Sequence, residues 1–295
     1  MYLMCKNKAV YDVTNDKVLN KDLLPGIMMA CPCRQTYEYF VNSRRSKCHL
    51  STARAVSLYN TSDYSVLDTE TRMLSLVDCY WLRLENDTVK FGDISPFYHL
   101  DSVNIASLYI PGIQDKEWKS QRTLVKYGKT SDAEYAAHDL CYKLGIPVAK
   151  VSKGVGVLYI ESFTSSSEML EQANQSSFDI YNYTDDDILN YLGLYPGIET
   201  LLIDAIVGNG DRHPGNFGWL RSSTSGKYLR PAPLYDFDHA LGDTYGSLIN
   251  DFVSLLKHQD GLLVNFVKNK LQSVDRLDTL QVFKDRAKIL LQEMR

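Results

Sequence analysis

The chain has 295 residues, enough for two domains or one bilobal enzyme, and its 44% hydrophobic and 23% charged content excludes disorder, collagen-like repeats and a global coiled coil. Lysine and arginine total 32 against 36 acids, a net charge of −4, which lacks the basic excess that nucleic-acid phosphates demand; no direct nucleic-acid partner is expected. No apolar run approaches the roughly 18 residues of a membrane helix, and Asn7, Lys8, Asp12 and Asp16 interrupt the N-terminus where a secretory core would lie, so the expectation is a soluble, cytoplasmic protein with no membrane partner.

The six cysteines are too sparse for a disulfide scaffold and fit a reducing compartment. Cys31-Pro-Cys33 followed by Cys48-His49 reads either as a zinc site or as buried thiols, and C-x-C is not the usual C-x₂₋₄-C hairpin of zinc sites.

In chain order, Thr36 to Ser43 and Thr52 to Leu58 read as short helical runs. Cys79 to Leu84 and Thr88 to Phe91 alternate around Glu85-Asn-Asp87 as a hairpin. Arg122 to Tyr127 is a strand. Ser131-Asp-Ala-Glu134 then opens a helix as a capping box, with Ala137, Leu140, Cys141 and Leu144 on one stripe until Gly145 and Pro147. Val148 to Ser152 and Val155 to Phe163 are extended runs around Lys153-Gly154, which suits a tight turn. The Ser-, Gln- and Asn-rich stretch 164–178 reads as a loop or connector. Thr184 caps one helix, and Pro196 starts another in which Ile198, Leu201, Leu202, Ala205 and Ile206 recur with helical spacing up to Gly208. After residue 245 three or more apolar-striped helices follow.

The segment that carries chemistry is Gly208-Asn-Gly-Asp211-Arg-His213-Pro-Gly-Asn216-Phe-Gly218, followed by Leu234-Tyr-Asp236-Phe-Asp238. Phosphoryl transfer from ATP needs a carboxylate to orient the attacking hydroxyl and take its proton, plus hard oxygen ligands that hold Mg²⁺ on the phosphates. Asp211 suits the first task; Asn216 and Asp236 suit the second. The plainer reading is an Asx-rich loop of ordinary turn formers. Upstream, Lys126 on a strand and Glu134 in the first turn of the next helix stand in the order of a kinase phosphate-binding lysine and its ion-pair glutamate. Glu134 is also the last residue of the Ser131 capping box, and Lys126 also reads as a solvated strand lysine.

Over residues 105–245 these motifs resemble the HipA-like serine/threonine kinases, whose catalytic loop is also similar to that of phosphoinositide kinases. Asn209 to Phe217 looks like that family's N-x-D-x-H-x-x-N-F loop, Asp236 like its metal-binding Asp, Leu124-Val-Lys126 like its nucleotide-binding strand, and Gly112-Ile-Gln-Asp-Lys116 like a phosphate-side segment. The resemblance implies an α+β, bilobal protein-kinase-like fold: a small mixed N-lobe with an antiparallel sheet and one helix at 105–165, a mostly helical C-lobe at 166–295, and an N-terminal region at 1–104. It further implies ATP and Mg²⁺ as cofactors, Asp211 as catalytic base, Asn216 and Asp236 as metal ligands, Lys116, Lys126 and Glu134 on the nucleotide, and Glu161 to Phe163 as the adenine hinge.

The chain departs from kinases in lacking G-x-G-x-x-G before the lysine strand. Asp238 takes the place of the glycine of an Asp-Phe-Gly motif, as a second metal contact or a turn residue. The expected activity is phosphorylation of Ser or Thr hydroxyls on a protein substrate, and the resemblance further implies the toxin of a toxin–antitoxin pair, with an antitoxin or regulatory protein as partner. A lipid or small-alcohol kinase and a catalytically silent binding module that uses residues 1–105 are the competing readings.

Overall fold

The computed structural model describes residues 1–45, 49–112, 114–128, 131–242 and 245–295, with the side chains of 49–52 and 131 outside that description. Cys48, Ile113 and the side chains of His49 and Ser131, all named in the sequence reading, therefore lie outside the described residues. The fold is mixed α and β, with antiparallel sheets and many helices. Cα packing divides it into two compact units that are discontinuous in sequence. The first is Met1–Gly128, Gly154–Phe178 and Gly218–Ala232; the second is Lys129–Lys153, Asp179–Phe217 and Pro233–Arg295.

In the first unit, β1 (Tyr2–Cys5) pairs antiparallel with β2 (Lys8–Asp12), which pairs with β3 (Lys17–Val18), and on its other side with β4 (Tyr80–Arg83). Here the expected hairpin from Cys79 to Phe91 does not form. The strand at 80–83 is taken by β1, with Met4 opposite Trp81, whereas Asp87 accepts from Val89 N (2.9 Å) and pairs with Arg72. The 85–90 segment is thereby committed to a turn, a choice that only long-range pairing decides. Helices α1 (Gly26–Ala30), α2 (Arg34–Arg44), α3 (His49–Tyr59), α4 (Tyr64–Glu70), α5 (Phe91–Ile94) and α6 (Val103–Ala106) complete this part. Leu3, Tyr11, Phe40 and Trp81 are fully buried in its core.

A second sheet runs β5 (Lys116–Ser120), β6 (Thr123–Tyr127), β8 (Val157–Glu161) and β7 (Val151–Gly154) in that spatial order. The turn between β7 and β8 is at Val155-Gly156 rather than Lys153-Gly154; Gly156 supplies the positive φ (+68°) that a tight turn requires. The third sheet is β9 (Glu168–Gln172), β10 (Gly218–Ser222) and β11 (Tyr228–Pro231), ordered β11-β10-β9. The stretch 164–178 is thus not merely a connector. Its polar composition hid β9, because Glu171 is buried against Arg221, whose Nη1 donates to Glu171 Oε2 at 2.8 Å and to Leu24 O at 2.6 Å. Glu171 Oε2 also accepts from Gly26 N at 2.9 Å, so one buried ion pair stitches the 22–26 segment to the sheet.

The second unit is helical: α7 (Ser131–Lys143), α8 (Asp185–Leu192), α9 (Leu194–Val207), α10 (Tyr245–Leu256), α11 (Gly261–Val274) and α12 (Gln281–Glu293). The stripe Ala137, Leu140 and Cys141 of α7 is fully buried. Thr184 and Asp187 cap α8 reciprocally: Thr184 N donates to Asp187 Oδ2 at 2.8 Å. Nearly every residue of α9 from Gly197 to Val207 is buried, the mark of a helix surrounded on all sides, and α7, α8, α10, α11 and α12 all pack against it.

Candidate active site

The residues of the Asp211–Asn216 loop are held from the end of α9. Within Leu201-Leu-Ile-Asp204-Ala-Ile-Val207 one carboxylate sits in an apolar run, 2% exposed, and a buried charge must be paired. Gly208 ends the helix in the left-handed region (φ +73°), with its N–H on Asp204 O at 2.8 Å. The chain then folds back over the helix end. Asn209 Nδ2 donates to Asp204 Oδ1 at 2.9 Å, and Arg212 grips the same carboxylate with Nε on Oδ2 and Nη2 on Oδ1, each 2.8 Å.

Arg212 is only 8% exposed. Burial by itself would lower its basicity, but the Asp204 charge and hydrogen bonds outweigh this and hold the guanidinium above its usual pKa. Its remaining arm, Nη1, donates to Asn216 O (2.8 Å) and Tyr235 O (3.0 Å), and its face lies 5.0 Å over the Phe237 ring. One side chain therefore fixes both the loop that carries Asp211 and Asn216 and the segment that carries Asp236. The charged partner of Arg212 is a carboxylate. Neither Asp204 nor this role was singled out in the sequence. The available signal was an acid inside an otherwise apolar helix, which demands a cation nearby.

Asn216 is 3% exposed and its Nδ2 donates to Asp211 O at 2.8 Å, which commits the NH₂ end and turns the amide oxygen the other way. The Asp211 side chain is 40% exposed, and its Oδ2 lies 3.9 Å from Nε2 of both His213 and His239. His213 buttresses the loop: its Nδ1 accepts from Gly215 N at 3.0 Å and its carbonyl from Asn216 N at 2.8 Å. Ligand atoms of Asp211, Asp238 and His239 come within 4.8 Å of one another, the one such grouping among the described residues. Asp236 adopts φ +62°, a left-handed conformation that Asp tolerates better than most residues and that functional sites collect. Next to it, Phe237 N donates to Glu134 Oε1 at 3.4 Å, and His138 meets the Phe237 ring edge-on at 5.1 Å. Glu134, fully buried on α7, thus reaches the backbone of the Asp236–Asp238 segment.

The first unit holds Lys116, Lys126, Glu161 and Phe163. Lys116 and Lys126 are directly opposite on β5 and β6, so both project from one face of the sheet, and both are buried. A Cβ on Gly112 would stand 2.6 Å from Lys116 Nζ; that ammonium lies against the start of the Gly112–Lys116 segment, where φ is +114° and only glycine leaves it room. Glu161 pairs with Thr123 at the opposite end of β6 from Lys126, and Phe163 follows β8. On the reverse face, Glu117 receives Arg54, Lys119 and Tyr127 Oη, the last at 2.5 Å. Burial works to raise the Glu117 carboxyl, and these donors overcome it and hold it at about 2.

Among solved structures, HipA from Shewanella oneidensis MR-1, determined with HipB and its operator DNA as a toxin–antitoxin system, matches with a TM-score of 0.63 over 99% of this chain and 96% of that one. The chain has the fold of HipA. Identity is 12%, so what is shared with HipA is architecture. CtkA, a proinflammatory kinase of Helicobacter pylori, matches in part, with a TM-score of 0.39 and 17% identity over 62% of this chain and 87% of that one. No family model and no curated protein matches the sequence. Within the HipA-like fold, Glu134, Asp211, Asn216 and Asp236 share the helical unit, and Lys116, Lys126, Glu161 and Phe163 share the other.

Proposed function

We propose that the protein is an ATP- and Mg²⁺-dependent phosphotransferase that phosphorylates Ser or Thr hydroxyls of a protein. The observation that carries this reading is the loop Asp211–Asn216, clamped by the buried Arg212–Asp204 pair to the segment containing Asp236. In this reading the half-exposed Asp211 carboxylate orients the acceptor hydroxyl and takes its proton. The donor set suits Mg²⁺, since the Asn216 amide oxygen and the Asp236 carboxylate are hard ligands and Asp238 adds another; when bound, the metal neutralises charge on the phosphates. Lys116 and Lys126, two buried lysines on one sheet face, are assigned to the nucleotide phosphates, and Glu161 to Phe163 is assigned as the adenine hinge. Glu134 orders the metal-ligand segment through Phe237 N. Residues 1–104 are assigned a regulatory or substrate-contact role beside a kinase region at 105–295.

The HipA fold supports a further part of the reading, an antitoxin or other regulatory protein as partner. With a net charge of −4, any DNA contact falls to that partner, and the expected compartment is the cytoplasm. The test is incubation of the whole chain with γ-labelled ATP and Mg²⁺, alone and in lysate. The expected result is label on protein Ser or Thr that disappears in Asp211→Ala. Label in lipid or small alcohols replaces the acceptor; ATP binding without transfer in any mixture replaces the enzyme by a silent module.

A further inference from the structure

Cys31 and Cys33 stand apart from the other described cysteines. Cys5, Cys79 and Cys141 are buried; burial pushes the Cys5 thiol up to about 12 and the other two higher still, which makes them poor nucleophiles. Cys31 is exposed, Cys33 is half-buried, and their sulfurs lie 4.0 Å apart across Pro32. Among the described residues no third His, Cys, Asp or Glu ligand joins them; Cys48 and the His49 side chain, the other half of the zinc reading, lie outside the described residues.

The two thiols are not equivalent. Cys33 is the N-cap of α2, an eleven-residue helix, where unpaired backbone N–H groups and the helix dipole favour a thiolate. Thr36 closes the cap: its Oγ1 accepts from Cys33 N at 3.2 Å, lies 3.7 Å from Cys33 Sγ, and donates to Cys31 O at 2.6 Å. The backbone and hydroxyl of Thr36 lower the Cys33 pKa, while the neighbouring Cys33 sulfur raises that of Cys31. Closing the gap to a disulfide takes roughly 2 Å of approach, within reach of side-chain rotation at an exposed turn.

We propose that Cys31 and Cys33 form a redox-active dithiol that exchanges with small disulfides of the glutathione type. The Cys33 thiolate attacks one sulfur of glutathione disulfide, forming a Cys33–glutathione bond and expelling one glutathione thiolate, which takes up a proton. Cys31 then gives up its proton and attacks the Cys33 sulfur, forming the Cys31–Cys33 bond and expelling the second glutathione. Two cysteine thiols are oxidised and one disulfide is reduced to two thiols; excess glutathione reverses both steps. The proposal is independent of the phosphotransfer reading.

The test is treatment of the whole reduced chain with glutathione disulfide, read by intact mass and peptide mapping. The wild type is expected to lose two hydrogens, mapped to a 31–33 crosslink, and to retain no glutathione. Cys31→Ser is expected to stop at a mixed disulfide on Cys33, and Cys33→Ser to slow the first exchange by roughly tenfold. Glutathione retained on both cysteines of the wild type, no reaction at either, or a Cys33→Ser variant that exchanges as fast as wild type overturns the proposal. Wild-type mapping needs no variant, and serine is close in size to cysteine at these solvent-facing positions.

Discussion

Arg212 and Asp204 meet fork to fork: both carboxylate oxygens accept a guanidinium N–H at 2.8 Å, with both side chains buried. The pair links a core helix to a polar loop, so stability and loop geometry depend on the same contact. Arg212→Met strands Asp204 as a lone buried charge and is expected to destabilise the chain by about 3–5 kcal/mol, read as a shift in the denaturant midpoint. Adding Asp204→Leu should recover part of that loss, because the cost comes from the unpaired ion and not from the missing pair. A double variant as unstable as the sum of the singles contradicts this.

Asp211→Asn should behave differently. Its side chain is 40% exposed, so stability should stay within roughly 0.5 kcal/mol of wild type. Under the proposed function, phosphotransfer should fall by roughly 10²- to 10⁴-fold, the usual worth of a general base, with nucleotide binding retained. Initial-rate kinetics beside a nucleotide-binding isotherm check both halves.

Lys116→Met and Lys126→Met each remove one of two ammoniums that share a sheet face. If that face serves phosphates, each single change should weaken ATP binding by roughly tenfold, about the worth of one charge-assisted contact. Adenosine, which lacks phosphates, should bind equally well to all three proteins. Calorimetric titration with both ligands distinguishes lost charge from lost fold.

Glu117 gives a pH signature. Its carboxyl is held at about 2 against an ordinary 4.5, so the folded state binds its proton later than the unfolded chain does. The stabilisation is complete above pH 4.5 and drains away as pH falls from 4.5 toward 2. Melting temperatures of wild type and Glu117→Gln should differ by a constant amount above pH 5 and converge as the solution is acidified. A gap that widens in acid reverses the assignment.

Gly226 and Gly156 share almost the same left-handed φ, +72° and +68°. A Cβ at Gly226 would lie 1.8 Å from Asp22 O, whereas at Gly156 nothing lies within 4 Å. Gly156→Ala should therefore cost about 1 kcal/mol of backbone strain, and Gly226→Ala that plus the displacement of the 22–26 segment. Thermal denaturation of the two variants separates conformational from steric cost.

Local pattern exposed much of this in the sequence. The periodic stripes of α7 and α9 and the Thr184 cap were readable because a helix writes its environment into i, i+3, i+4 spacing. The spacing of Asp211, Asn216 and Asp236 was readable because turn residues punctuate it. What escaped was decided by distant partners: β4 reads as half of a hairpin until β1 takes its edge, and β9 reads as a loop because Glu171 is neutralised by Arg221 from β10, fifty residues away. Arg212 escaped for the same reason. Its role belongs to a three-way meeting of Asp204, Asn216 O and Tyr235 O, and no window on the sequence holds all three.

The threading of the first unit bears on how the molecule is made. It draws on Met1–Gly128, returns at Gly154–Phe178 and returns again at Gly218–Ala232, and its third sheet closes only when β10 reaches β9. During synthesis, at roughly 5–20 residues per second, β9 therefore waits several seconds for its neighbour, and a nascent chain in which β9 has left the ribosome before β10 displays an open strand edge to its surroundings.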